Sequence, residues 1–116
     1  MLGRPQGVRV WARTRPTDLR LGFRGLAGLV ETEFHHDLKA GDVYLFVNRR
    51  CSSAKALLWD GSGLCIYAKK LVRRRFARLW RDASPGQPLR LTTVELNLFL
   101  EGVPPRRAPD GRGRRR

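Results

Sequence analysis

No stretch of the sequence reaches the roughly 18 consecutive apolar residues that read as a membrane span. The N-terminal "MLGRPQGVRVW" lacks the apolar core of a signal peptide. Neither a membrane partner nor a secretory leader is expected. Cysteine is scarce: Cys51 and Cys65 stand alone, with no CxxC spacing. Two such thiols make no disulfide framework, so a reducing cytoplasm is the expected location. Cys65 reads as a small core residue in a strand and Cys51 as a loop thiol. Histidine is limited to His35 and His36, followed by Asp37. Neighbours on a loop point different ways, and no second His or Cys group completes a tetrahedral shell. That stretch reads as a solvated loop, and no metal or other cofactor is expected. Acidic residues are also few, ten Asp+Glu in all. Metal-dependent phosphoryl transfer on DNA needs several carboxylates around its ions. Here Asp60 serves a turn, Asp18 and Glu95 serve helix starts, and Glu101 sits at a helix end. No Ser/His/Asp arrangement is signalled either. The chain therefore reads as no enzyme, with no small-molecule substrate. It also lacks internal repeats and any helix-turn-helix, zinc-finger or ribonucleoprotein motif, so sequence-specific readout has no support.

What the chain has in excess is positive charge. Against ten acids stand 24 Lys+Arg, a formal net charge of +14 on 116 residues. Such a balance favours polyanionic partners, DNA first. Most of these residues are arginines, which bind phosphate in bidentate fashion. The length suits one small domain, and an apolar fraction of 41% suffices for a core.

The chain divides into short elements. "VRVWA" (8–12) alternates as a strand, with Val8, Val10 and Ala12 on one side. "TDLRLGFRGLAGLVETEF" (17–34) has helical spacing, with Leu19, Phe23, Leu26, Ala27, Val30 and Phe34 on one stripe and Thr17 or Asp18 as cap. Glycines at 22, 25 and 28 weaken it by roughly 1 kcal/mol each and suggest a close backbone approach. Glu31 and Glu33 lie at the wrong end for the helix macrodipole. "HHDLKAGD" (35–42) is a loop. "VYLFVN" (43–48), "AKALLWD" (54–60) and "LCIYAKK" (64–70) read as three antiparallel strands, the last two joined by the Asp60-Gly61 turn. Segment 71–81 fits a helix by Val72, Phe76, Leu79 and Trp80, or a strand by alternation. In "LTTVELNLFLEG" (91–102), Thr92 and Glu95 make a capping box, Leu91 and Leu96 a staple, and Gly102 the stop. Leu96, Leu100 and Val103 are expected to face the core, with Phe99 beside them. The expected fold is α+β: a small, mostly antiparallel sheet of about four to five strands packed with two helices. Residues 1–103 form one domain, and 104–116, with six arginines and almost nothing apolar, form a disordered tail.

From Lys69 to Arg81, "KKLVRRRFARLWR" holds seven basic residues and no acid. The candidate DNA contacts are Lys69, Lys70, Arg73, Arg74, Arg75 and Arg78, with Arg49 and Arg50 as neighbours across the sheet. Arginine and lysine neutralise phosphates. The interleaved Leu71, Phe76, Leu79 and Trp80 are expected to face the core.

Four blocks together resemble a known family. They are "GVRVW" (7–11), "TDLRLGFRGLAGLV" (17–30), "LLWDGSGLCIYAKKL" (57–71) with "RF" (75–76), and "LTTVELNLFLEGV" (91–103). Their order and spacing resemble the TnpB-type accessory protein, or Orf2 protein, of bacterial IS66 insertion sequences, across about residues 2–103. The resemblance implies a non-catalytic role in DNA transposition beside a separate transposase, which would be a partner. It implies a glycine in the turn before "RF", where this chain has Arg74. It also implies that "NRRCSS" and the ending after "EGV" are atypical. A protein-interaction module that docks on the transposase without touching DNA is the alternative, using helix 17–34 or 92–101.

Overall fold

The computed structural model describes residues 7–80 and 86–103. The tail expected to be disordered, and Arg81, lie outside the described residues. Five strands form one sheet: β1 (Val10–Ala12), β2 (Val43–Val47), β3 (Ser53–Trp59), β4 (Leu64–Lys70) and β5 (Leu89–Leu91). Their order is β4-β3-β2-β1-β5. β1 and β2 run parallel, joined by helix α1 (Phe23–Leu29), a π-helical turn (Val30–Phe34) and a 3-10 turn (Leu38–Ala40). All other pairings are antiparallel. Helix α2 (Thr93–Leu100) follows β5. The architecture is the α+β fold expected, with the sheet mostly antiparallel.

Alternation along the strands separates two cores. Tyr44, Phe46 and Leu57 point to one face, where Leu26, Val30 and Phe34 of α1 and its extension cover them. Val43, Leu45, Val47, Ala54, Ala56 and Leu58 point to the other, under Phe99 of α2 and Phe76 and Leu79 of the segment after β4. β2 is covered on both sides, which explains its unbroken apolar run. Ala12, Ala54 and Ala56 are small, and the stacked rings of Phe76 and Phe99 (centroids 5.0 Å apart) belong to the same cluster.

The first helix corrects the sequence reading. It starts at Phe23, capped by the backbone of Gly22 without a side-chain bond. Thr17 and Asp18 are engaged elsewhere. The Thr17 N–H donates to the Val47 carbonyl, and its buried hydroxyl accepts from Arg13. Asp18 pairs with Arg20, whose bonds pull the carboxyl down to about 2. Phe23, expected on the buried stripe, is 51% exposed. The glycine spacing marks no contact face: a Cβ at Gly22 or Gly28 would meet nothing, and at Gly25 only the nearby Leu21 side chain. Glu33 at the helix end is explained by Arg13, which grips it through two bonds of 2.9 and 2.7 Å. That fork holds the Glu33 carboxyl below its usual range.

The second helix follows its sequence signals. Thr92 accepts from the Glu95 N–H, and the Glu95 carboxylate accepts from the Thr92 N–H. Leu91 and Leu96 join the same core cluster. At the other end the Gly102 N–H donates to Phe99 and the Val103 N–H to Leu98, with Gly102 at φ 87°. This is a Schellman stop. Phe99, not Val103, is the deep core residue; Val103 is 38% exposed.

Candidate nucleic-acid interface

The basic end is built on the turn between β2 and β3. Asn48 organises it: its side-chain oxygen accepts from the Ser52 and Ser53 N–H groups, and its amide donates to the Ser52 hydroxyl. The Cys51 N–H closes the turn on the Asn48 carbonyl at 3.0 Å. Cys51 itself sits at φ 58°, the left-handed region, and buries its side chain in the α2-side core. Cys51 is thus a turn residue whose thiol is in the core, deeper than the loop thiol expected, while Cys65, in β4 as expected, is only partly buried against the same cluster. The left-handed bend turns the residue-51 side chain inward while Arg49 and Arg50 stay exposed.

Segment 71–80 is neither helix nor strand. It folds back over that turn. The Leu71 N–H donates to the Ser52 carbonyl at 3.0 Å, and the Phe76 N–H to the Cys51 carbonyl at 2.7 Å. Arg75 Nη1 donates to the Arg50 carbonyl at 2.9 Å. Phe76 and Leu79 are buried, and Leu71 and Trp80 half-buried, as the inward reading of the apolar residues requires. Between these anchors Arg73, Arg74, Arg75 and Arg78 are exposed. Lys69 and Lys70 pair with Ala54 and Ser53 at the start of β3, beside the same turn.

Of the eight candidates, Lys69, Lys70, Arg49, Arg50, Arg73, Arg74 and Arg75 therefore come together at one end of the sheet. Arg49 and Arg50 reach the group through the hairpin tip, not across the sheet. Arg78 lies farther along, between the buried Phe76 and Leu79. Lys69 is partly spent on Glu101, 3.8 Å away. Arg74 donates to the Glu101 carbonyl at 3.2 Å, near the end of α2. The residues of positive φ other than glycine are His35 and Cys51, so Arg74 carries no left-handed strain among the described residues. The chain accommodates arginine there because the segment is irregular and the side chain finds a helix-end carbonyl. The positioning residues Asn48 and Cys51 escaped the sequence reading. The signal for Asn48 was its place before a turn, where its side chain readily bonds the backbone.

Other reactive groups serve the scaffold. Asp60 accepts from the Ser62 and Gly63 N–H groups and from the Cys65 thiol. Led by the Ser62 bond, these lower its carboxyl to about 2. The same carboxylate raises the Cys65 pKa, keeping it a thiol. His36 is no bare loop residue: its Nδ1 lies 2.9 Å from the Tyr44 hydroxyl and its ring meets Trp11 edge-on. Burial pushes Tyr44 up to about 12. Asp42, at the end of β2 away from the basic turn, accepts from Trp11 Nε1 at 3.0 Å and pairs with Arg9. Among the described residues no three His, Cys, Asp or Glu side chains gather as a metal set. No helix among them is long and apolar enough to cross a membrane.

Residues 8–109 match the family described as "IS66 Orf2 like protein". The chain belongs to that family. It is 36% identical over 103 residues to "Uncharacterized protein y4jC" of Sinorhizobium fredii, covering 89% of this chain and 86% of the relative. A second protein of that organism, "Uncharacterized protein y4hO", is 35% identical over 103 residues, at 89% and 87% coverage. No solved structure matches. IS66 Orf2-like membership places the chain among accessory proteins of insertion-sequence transposition.

Proposed function

We propose that this IS66 Orf2-like protein assists transposition in the cytoplasm by gripping the phosphate backbone of DNA, without catalysing a step itself. The gripping residues are Lys69, Lys70, Arg73, Arg74, Arg75, Arg78, Arg49 and Arg50. One observation carries the reading: segment 71–76 is bonded onto the 49–53 turn, so two separate basic runs of the sequence share one surface. Seven cations that repel one another are held together by a buried anchor, an arrangement that a polyanion relieves. Residues 1–103 act as the gripping domain, and the arginines of 104–116 add charge to it.

Binding of duplex DNA across a salt series tests this. Affinity is expected to fall linearly on a log–log plot, by about 0.9 per neutralised phosphate. Arg73→Ala, at an exposed side chain, should lower that slope by about one contact and weaken all sequences equally. Absence of binding at low salt, or binding indifferent to salt, removes the proposal.

A second reading has an observation of its own. Val94 and Leu98 lie four residues apart on α2 and are 65% and 37% exposed. An apolar stripe of this kind suits a protein partner, the transposase. Co-purification with the transposase in nuclease-treated extract, lost in Val94→Asp, would favour docking over DNA contact.

A further inference from the structure

The basic end adjoins an aromatic ring that the sheet leaves uncovered. Tyr67 of β4 is 52% exposed. It stands two residues before Lys69, so both side chains share the α2 face of the strand. Its cross-strand partner is Ala56, whose methyl group is too small to cover the ring. Beyond the lysines, Val72 is 91% exposed. In sequence, an aromatic and an aliphatic side chain thus flank the two lysines of an arginine-rich end.

The other rings are not free in this way. Phe76 is 3% exposed and stacked on Phe99. Lys39 lies 5.2 Å over the Trp59 ring, and Arg90 5.3 Å over Trp11. Among the described residues only Phe23 matches the exposure of Tyr67. It sits on α1, which covers the opposite face. Duplex DNA offers a basic surface only phosphates and groove edges, and gives a bare tyrosine little to contact. Unpaired bases offer π faces, and a charged groove with stacking rings is the usual design for single strands.

We propose that Tyr67 is a base-stacking residue and that this end of the protein prefers DNA with unpaired bases to fully paired duplex. The inference rests on the reading that the basic end binds DNA. The strand's phosphates run along Lys69 and the 73–75 arginines while one base lies on the Tyr67 ring. Charge complementarity favours a polynucleotide over a protein as the occupant, since the cations of the adjoining basic end outnumber the two acids seen along that strand face among the described residues, Glu101 beside Lys69 and Asp60 beside Cys65.

The test is fluorescence anisotropy with one labelled oligonucleotide, single-stranded and then annealed to its complement, using wild type, Tyr67→Ala and Tyr67→Phe. Wild type is expected to bind the single strand more tightly. Tyr67→Ala should weaken that binding about tenfold, within the range of one base–aromatic stack, and leave duplex binding within about twofold. Tyr67→Phe should keep the single-strand affinity, because the ring is retained. Thermal melts of the three proteins should coincide, as expected for a half-exposed side chain. Equal loss on both DNA forms, or loss on neither, overturns the Tyr67 proposal and leaves the phosphate grip standing. Failure of wild type to bind either form at low salt removes the DNA reading itself. Loss of DNA-free transposase binding in Tyr67→Ala, with single-strand affinity unchanged, assigns the ring to a protein partner and overturns the proposal.

Discussion

Phe76 is the residue on which the shape of the basic end depends, and Phe76→Ala measures that dependence. The ring is 3% exposed and stacks at 14° on Phe99, while its N–H holds the Cys51 carbonyl. Truncating a buried Phe to Ala costs about 3–5 kcal/mol, through lost transfer energy and the cavity left behind. The lost stack on Phe99 is part of that sum, roughly 0.5–1.5 kcal/mol. A domain of this kind has about 5–15 kcal/mol in hand, so the sheet survives but with a much reduced margin. At roughly 4–8 °C per kcal/mol for small domains, the melting temperature falls by more than about 12 °C. The damage should also be local. Segment 71–80 has no ladder of its own, so without the Phe76 anchor it is held by Leu71, Leu79 and a few hydrogen bonds. Brief trypsin digestion reads this directly, because Arg73, Arg74, Arg75 and Arg78 become cleavable at temperatures where the fold persists. DNA affinity at low salt should drop in parallel, since the arginines no longer share a surface with Arg49 and Arg50. Phe76→Leu should cost less, about 1–1.5 kcal/mol, and keep the segment protected. A Phe76→Ala protein that melts within about 1 kcal/mol of wild type, with 71–80 still resistant to trypsin, would refute the anchoring role.

Three further outcomes follow from the same geometry. Thr92→Ala removes the side-chain half of the capping box and should cost about 1 kcal/mol in denaturant unfolding, with Thr92→Ser near neutral. Gly102→Ala places a Cβ at φ 87° and 3.0 Å from Arg74 Cδ, so it should destabilise by roughly 1–2 kcal/mol in the same assay. The carboxyl of Glu33 is held below its ordinary 4.5 chiefly by its bonds to Arg13. A depressed folded-state value gives stability that is present above the ordinary value and lost as pH falls through the depressed one. Urea midpoints should therefore decline as pH drops below about 4.5, and Glu33→Gln should flatten that decline. An unchanged pH profile in Glu33→Gln would show that the ion pair contributes nothing net.

Locally encoded features were legible in the sequence, and features made by distant contacts were not. The Asp60 turn and the Thr92 box are decided within a few residues, and both stand where the pattern puts them. The start of α1 was misplaced because Thr17 has the chemistry of a cap, yet its hydroxyl is taken by Arg13 and its N–H fastens the residue to a strand 30 residues on. That separation, from Thr17 to Val47, lies outside any local window. β5 was not read because three residues carry no period; pairing with β1 makes it a strand, and Thr14 fastens the approach through the Gln87 carbonyl. Segment 71–81 offered two periods, and its described part, 71–80, obeys neither. Its apolar residues are spaced to meet Cys51 and Phe99, surfaces that other elements supply. The charge of the site was legible; its assembly from two runs was not.

The placement of the acids explains how so basic a chain folds and where its charge is left. Asp18, Glu33 and Asp42 are paired with Arg20, Arg13 and Arg9, all from the first part of the chain. Asp60 is consumed by its own turn. The carboxylates of Asp18, Glu33 and Asp42 neutralise arginines around β1 and α1, and all three are gripped by side-chain hydrogen bonds that fix the loops. Among the described residues only Glu101 intervenes at the basic end, and at 3.8 Å from a lysine on an exposed rim it offsets little. The net charge of +14 is thus not spread evenly. Repulsion among Arg49, Arg50, Arg73 and Arg75 opposes the docking of 71–76, and burial of Phe76 and Leu79 in the α2-side core offsets it. Raising salt should therefore stabilise the free protein while weakening any complex with DNA. Opposite signs for the two salt effects distinguish a preassembled phosphate grip from a basic surface whose charge is incidental to the fold.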